Sequence, residues 1–403
     1  MPAIDAARLL ADLHALRAIG AYKTGVHRPT YGTDDVRSRH WLAERLTQAG
    51  LRAEIDGIGN VIGRDPSPGA KLLLGSHLET QNHAGWLDGA MGVIFGLEVA
   101  RTLGHGIDVA GWADEEGHFG SFLGSRSYAG LLPEAEIDAC KSVDDGTPLR
   151  TALANAGFAG KPRLTADPAR YRGYLEAHIE QGATLEDAGQ HIGIVTAIVG
   201  SHRFRIVFEG QQNHAGTTRM AVRKDAGVAL IKLAAAIEDR FPGIVGPHTV
   251  WTTGRIVLDP GAPSIVPGKA EMLFQFRDTD QALLFALEQE IKSLVEQANE
   301  GPCRVAIAHI GRSVPRQMDE GFQTALERAA ERHAPGSHRR MPSGAGHDAQ
   351  ILAEAMPSGM LFVPSIGGIS HHYSEDTKEQ DIVRGCQVFA DAASDILAGS
   401  QGK

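Results

Sequence analysis

Cysteine is scarce in this chain of 403 residues: there are three, Cys140, Cys303 and Cys386, far apart and in no CxxC pair. So sparse and odd a set excludes a disulfide framework and reads as reduced thiols in a cytoplasmic protein. Long hydrophobic runs are also missing, and no uninterrupted apolar stretch approaches the roughly 20 residues of a membrane span. The N-terminus places Asp5, Arg8 and Asp12 within its apolar pattern. It reads as an amphipathic helix, not a signal peptide. There is no basic block either: 39 Lys and Arg stand against 49 Asp and Glu, for a net charge of −10. That balance argues against nucleic acid, anionic membrane or a polyanionic substrate. Internal repeats and low-complexity segments are absent.

What is present is ordinary globular material, 42% hydrophobic and 22% charged, enough for two or three domains with cores of their own. Leu9, Leu13 and Leu16, then Trp41, Leu42 and Leu46, fall at helical spacing. KLLLGSH (71–77) predicts a buried strand, MGVIFGLEVARTLG (91–104) a helix ended by Gly104, and HGIDVAGWADEEG (105–117) a strand with acids beyond it. This alternation implies a parallel α/β sheet with functional groups past its carboxyl edge.

Residues 203–310 follow a different order: strands at 203–210, 248–257, 269–278 and 303–310, and helices at 225–241 and 281–301. The order βαββαβ is that of a ferredoxin-like unit. Helical pattern then returns, with strand GMLFVPS (359–365) and a last helix from about 379. The expected organisation is an α/β domain over 1–200 and 312–403, split by a ferredoxin-like insertion at 201–311.

Five segments near predicted strand ends carry carboxylates, four of them with histidine: GSHLET (75–80), LDGAMG (87–92), ADEEGHFG (113–120), EAHIEQG (176–182) and GGISHHYSE (367–375). Divalent ions such as zinc take imidazole and carboxylate ligands, and two ions about 4 Å apart need a shared carboxylate. His77, Asp88, Glu116, His178 and His371 would supply that set with Asp88 bridging, and Glu115 would act as general base on a metal-bound hydroxide. Taken singly, each segment has a plainer reading, since a histidine near a strand end is more often a surface or satisfied core residue, and an acidic run a solvated loop. Spacing alone does not join residues so far apart in the chain.

In this order and wording the five segments resemble the amidohydrolases that include N-carbamoyl-L-amino acid hydrolase, allantoate amidohydrolase and β-ureidopropionase. These are hydantoinase/carbamoylase-type amidases of the co-catalytic zinc aminoacylase clan. GSRSYAG (124–130), EAHIEQGATLEDAGQHIGIVTAIVG (176–200), NHAGTTRM (213–220) and MPSGAGHDAQ (341–350) carry the resemblance over essentially the whole chain.

The resemblance implies a mixed-sheet, zinc-aminopeptidase-like catalytic domain and an inserted lid and dimerisation domain in a homodimer. It implies two divalent ions per subunit (zinc, or manganese, cobalt or nickel), with His77 and His178 on one, Glu116 and His371 on the other and Asp88 on both. Glu115 would move the proton, His214 would stabilise the oxyanion from its own or the partner's subunit, and Arg277 would hold a substrate carboxylate. Ser264, Gln181 and His347 are candidate substrate contacts. Asp348 either helps line the site or caps a helix. Glu79 would orient His77 through the second nitrogen of its ring, and His118, His202 and His372 are expected to be structural or rim residues.

Four departures from the family pattern bear on the pocket. HLET replaces HLDT, the stretch EEGHFGSFLGSR is shorter and lacks an arginine, Ser201 stands where the family has glutamine, and Ser264 stands where it has asparagine. A hydroxyl offers one donor where an amide offers two and an acceptor. The implied activity is hydrolysis of a linear, non-peptide C–N bond in a small carboxylate-bearing molecule, an N-carbamoyl amino acid or ureido acid. The alternatives are an N-acyl-amino-acid amidohydrolase acting on an unusual amide and a catalytically inactive binding protein of the same fold.

Overall fold

The apolar run Lys71–His77 forms a strand buried along its whole length. In the computed structural model, which describes residues 2–399, this strand is central to a mixed sheet. Ile107–Trp112 and Tyr171–Ile179 flank it, both parallel to it, and Ser358–Val363 extends the parallel set beyond Tyr171–Ile179. Antiparallel strands extend the sheet on both sides, toward a total of nine strands. Val61–Arg64 and Arg52–Ile55 lie beyond Ile107–Trp112, and Ile192–Ile198 lies beyond Ser358–Val363. A sheet covered on both faces needs strands buried along their length, and Lys71–His77, Ile107–Trp112 and Ser358–Val363 are so buried.

Helix Ala90–Leu103 packs on this sheet and stops at Gly104, whose φ of +73° provides the left-handed ending. The terminal helix Glu379–Ala398 lies against it and against Glu320–His333. Leu9, Leu13, Phe95, Leu326 and Phe389 belong to the one core cluster these helices share with the sheet. No helix among the described residues is long and apolar enough to cross a membrane.

The chain divides into two units, one formed by the residues up to Thr196 and from Gln317, the other by Ala197–Arg316. The second unit has a four-stranded antiparallel sheet in the spatial order Val250–Asp259, Lys269–Asp278, Gly200–Glu209, Arg304–Ser313. That is the ferredoxin-like order expected from βαββαβ. Alternate residues of Gly200–Glu209 are buried, and Phe204, Ile206 and Phe208 pack with Leu230, Leu233, Leu287 and Ile291 of the two helices. Asp225 and Asp280 cap those helices, accepting backbone N–H groups from Val228 and from Ala282.

The outer strands of the sheet were not legible in the sequence. Arg52–Ile55 and Val61–Arg64 have four residues each, too few for periodicity to separate strand from loop.

Candidate metal centre and active site

His77 is the last residue of its strand and His178 the last but one of its own, so both leave the sheet at its carboxyl edge. Asp88 precedes helix Ala90–Leu103, Glu115 and Glu116 follow strand Ile107–Trp112, and His371 lies in the loop after Ser358–Val363. The four parallel strands thus bring together residues almost 300 positions apart.

Asp88 stands at the centre. Its Oδ1 is 3.0 Å from His178 Nε2 and 3.4 Å from His77 Nε2, and its Oδ2 is 3.3 Å from His371 Nε2. His371 Nε2 is also 3.6 Å from Glu116 Oε2. His77, Asp88 and His178 form one group able to hold a metal ion, and Asp88, Glu116 and His371 a second. Burial works against ionisation of Asp88, but His178, His371 and His77 overcome it and hold the carboxyl well below the usual carboxylate range.

The donor set fits a divalent metal. Nδ1 of His77 lies 3.0 Å from the carbonyl oxygen of Glu79, and Nδ1 of His178 lies 2.9 Å from that of Ile179. A carbonyl only accepts, so each Nδ1 carries a proton and Nε2 is the nitrogen turned to Asp88. The backbone N–H of Gly89 also points at His178 Nε2, at 3.2 Å, marking it as an acceptor. With each Nε2 this close to a carboxylate oxygen a cation must stand between them, a proton, through which the histidines hold Asp88 down, or a metal ion in its place. Gly89 leaves the room: a Cβ there would stand 2.4 Å from the His77 ring.

Glu115 is beside this group, its Oε2 3.7 Å from His77 Nε2. Burial, reinforced by the charges of Glu116, Asp348 and Asp88 and opposed by His77, raises it well above the usual carboxylate range. A carboxylate so raised is a stronger base than one in water.

Glu79 departs from expectation. Its backbone carbonyl, not its carboxylate, takes the Nδ1 proton of His77, and the nearer carboxylate oxygen is 3.8 Å away. The longer side chain reaches past the ring instead: Oε2 accepts from Arg39 at 2.8 Å and Oε1 from the backbone N–H of Glu115 at 2.6 Å.

Gln181 donates to Asp88 Oδ2 at 3.0 Å and to Ser370 Oγ at 3.2 Å. It therefore touches the central carboxylate, while Glu180 accepts the backbone N–H groups of Thr184 and Leu185. His347, expected at the substrate, is only 2% exposed and packs edge-on against His178 at 4.6 Å, with Nε2 on Ser343. It buttresses His178. Asp348 is buried close to Glu176, whose charge adds to burial in raising its pKa well above the usual range.

Three residues were missed by the sequence reading. Gln81 donates its side-chain N–H to Glu116 Oε2 at 3.0 Å and its backbone N–H to Oε1 at 3.1 Å. Glu375 accepts the backbone N–H of Asp88 at 3.1 Å and the Ser370 hydroxyl at 3.1 Å, and burial with the charge of Asp88 pushes it up to about 8. Asp114 gathers the N–H groups of His118, Phe119 and Gly120 and the hydroxyl of Thr30, fixing the loop after Glu116. All three lie inside or beside the quoted segments, and position in the phrase was the available signal.

In the inserted unit His214 and Ser264 are neighbours. Asn213–His214 pairs with Ile265–Val266, and the Ser264 carbonyl accepts the N–H of Ala215 at 2.8 Å. Arg277 is opposite Ser201 in the sheet register. Burial and the charge of Arg203 draw Arg277 down from its ordinary value. Ser201 engages the Ser313 hydroxyl at 3.1 Å. Two of the four sequence departures thus adjoin the two residues of the inserted unit expected to meet substrate.

A carboxylate shared by two ligand groups at the carboxyl edge of a mixed sheet defines a metal-dependent hydrolase, and the profile of peptidase family M20/M25/M40 matches residues 74–395. The chain belongs to that family. Within it the chain is an amidohydrolase, acting on carbon–nitrogen bonds other than peptide bonds. It is 33% identical over 400 residues to the N-carbamoyl-L-amino-acid amidohydrolase of Paenarthrobacter aurescens, covering 95% of this chain and 96% of that one. It is 32% identical over 393 residues to the allantoate amidohydrolase of Bacillus subtilis (strain 168), covering 91% and 92%. Among solved structures, an amidase of the hydantoinase/carbamoylase family from Burkholderia phymatum is similar with a TM-score of 0.92 and 48% identity over 99% of both chains.

Proposed function

We propose that this protein hydrolyses the carbamoyl C–N bond of an N-carbamoyl amino acid or ureido acid, consuming water and releasing the amine, ammonia and carbon dioxide. The observation that carries this reading is Asp88, whose two carboxylate oxygens face separate ligand groups with Glu115 alongside. The names of relatives that cover more than nine-tenths of the chain support the substrate class.

In this reading His77, His178 and Asp88 hold one divalent ion and Asp88, Glu116 and His371 a second, both zinc, manganese, cobalt or nickel. When bound, the ions supply positive charge that polarises the scissile carbonyl and acidifies water. Glu115 takes a proton from the attacking water and delivers it to the leaving nitrogen. His214 donates a hydrogen bond to the oxyanion and Arg277 grips the substrate carboxylate through its planar guanidinium. Ser264 and Gln181 shape the remaining contacts. The proposed compartment is the cytoplasm, in keeping with the three free cysteines, and the proposed assembly is the homodimer that the family resemblance implies.

Ser201 and Ser264 favour one second reading. Loss of amide-bearing side chains next to Arg277 and His214 suits an N-acyl amino acid, whose hydrolysis releases a carboxylic acid and no ammonia. The test is product analysis with metal-reconstituted protein on N-carbamoyl-L-amino acids, β-ureidopropionate, allantoate and N-acetyl and N-formyl amino acids. Equal amounts of ammonia and amine from a ureido compound are expected. Amine without ammonia, from the acyl substrates only, would replace the carbamoyl reading with the acyl one, and silence throughout would refute both.

A further inference from the structure

His214 sits on a tight turn, and the turn decides which ring nitrogen carries the proton. The backbone N–H groups of Gly216 and Thr217 both point at its Nδ1, at 3.0 and 3.2 Å. A nitrogen that accepts two N–H groups is itself bare, so the ring proton is confined to Nε2. The ring lies over Gly216, where a Cβ would stand 3.2 Å from Cε1. Thr218 closes the turn by donating its backbone N–H at 3.1 Å and its hydroxyl at 2.6 Å to the His214 carbonyl.

Arg223 holds this turn from behind. Its guanidinium donates to the carbonyls of Ala215 and Thr218, the latter at 3.0 Å through Nε. The Ala215 carbonyl and the Gly216 N–H belong to one peptide unit. In a planar trans peptide these two groups point in opposite directions. The cation bound to the oxygen on one side therefore aims the N–H on the other side at Nδ1. A hydrogen bond to a charged donor is about twice as strong as a neutral one, and Arg223 makes two.

We infer that Arg223 is a positioning residue for the reaction, clamping the 214–218 turn so that His214 presents Nε2–H as a hydrogen-bond donor and not as a base. This rests on the proposed role of His214 at the oxyanion.

The experiment uses the full-length, zinc-loaded protein labelled with 15N-histidine. Long-range 1H–15N spectra report which ring nitrogen is protonated, and the His214 signals are identified by their loss in His214→Asn. The wild type is expected to show His214 with a bare Nδ1. In Arg223→Gln the Nδ1–H tautomer should appear, and kcat should fall roughly ten- to a hundredfold with KM little changed. Arg223→Lys, which can still donate to one carbonyl, should recover part of both effects, and it serves as the test variant if Arg223→Gln folds poorly. In the His214→Asn background, Arg223→Gln should lower kcat no further.

An unchanged His214 tautomer in Arg223→Gln, or an equal loss of kcat in both backgrounds, would overturn the inference. If His214→Asn itself leaves kcat unaltered, the catalytic reading of His214 fails and positioning for reaction fails with it. The tautomer spectra then decide separately whether the clamp on the ring exists.

Discussion

Arg39 donates to Glu79 at 2.8 Å with both side chains fully buried, and the other oxygen of Glu79 accepts the backbone N–H of Glu115. One buried ion pair thus fixes the backbone from which the proposed general base projects. Arg39 also pairs with buried Asp35 at 2.9 Å, so removing the guanidinium leaves two buried carboxylates without their cation, which costs at least about 3–5 kcal/mol. Arg39→Met is expected to lose stability on that scale in urea unfolding. Glu79→Asp, shorter by one methylene, cannot span both partners. Its kcat should fall roughly ten- to a hundredfold with a smaller stability loss, measured by steady-state kinetics on the same preparations.

Gly89 offers a test of the ligand geometry. Its φ is +66°, and an added Cβ would meet three atoms of the His77 ring within 2.5 Å. Gly89→Ala must displace His77 or the turn carrying Asp88. Metal affinity, measured by competition with a chelator, should drop by at least roughly tenfold, and activity at limiting metal should drop with it.

The inserted unit carries a pH-dependent contact of its own. Glu288 accepts from Lys292 at 2.7 Å and meets His309 at 3.1 Å. Burial alone would raise its carboxyl, but Lys292 and His309 bring it down to about 2. A carboxyl lowered in the folded state contributes stability that is complete above its unfolded pKa, roughly 4.3, and is lost as pH falls toward the folded value. The stability gap between wild type and Glu288→Gln should therefore narrow as pH falls below about 5. Trp251, which lies in this unit, provides a fluorescence probe for the unfolding curves.

The sequence made the inner architecture legible because strands buried on both faces are apolar throughout and strands buried on one face alternate. Lys71–His77 and Lys269–Asp278 have the limits their patterns predict. Four-residue edge strands such as Arg52–Ile55 carry too little pattern to be read. The five carboxylate-bearing segments do converge, with His77, Asp88, Glu116, His178 and His371 falling into two groups. Chemistry suggested that set, but only the parallel sheet and its crossovers bring its members together. What stayed hidden was which atom does each job. Whether His77 is oriented by the Glu79 carboxylate, 3.8 Å away, or by its carbonyl, at 3.0 Å, is decided by side-chain reach within one residue. The burial of His347 behind His178, and the hold of Gln81 on Glu116, depend in the same way on side-chain direction, which composition does not encode.

Glu115→Gln tests the account at its centre, because the substitution keeps the shape of the side chain and removes only its ability to take a proton. The measurement is metal content per chain and single-turnover rate on one preparation of that variant, with the best ureido substrate of the panel. The account predicts two divalent ions retained, as in the wild type, and a rate at least roughly a hundredfold lower. A variant that keeps both ions and turns over at the wild-type rate would contradict it.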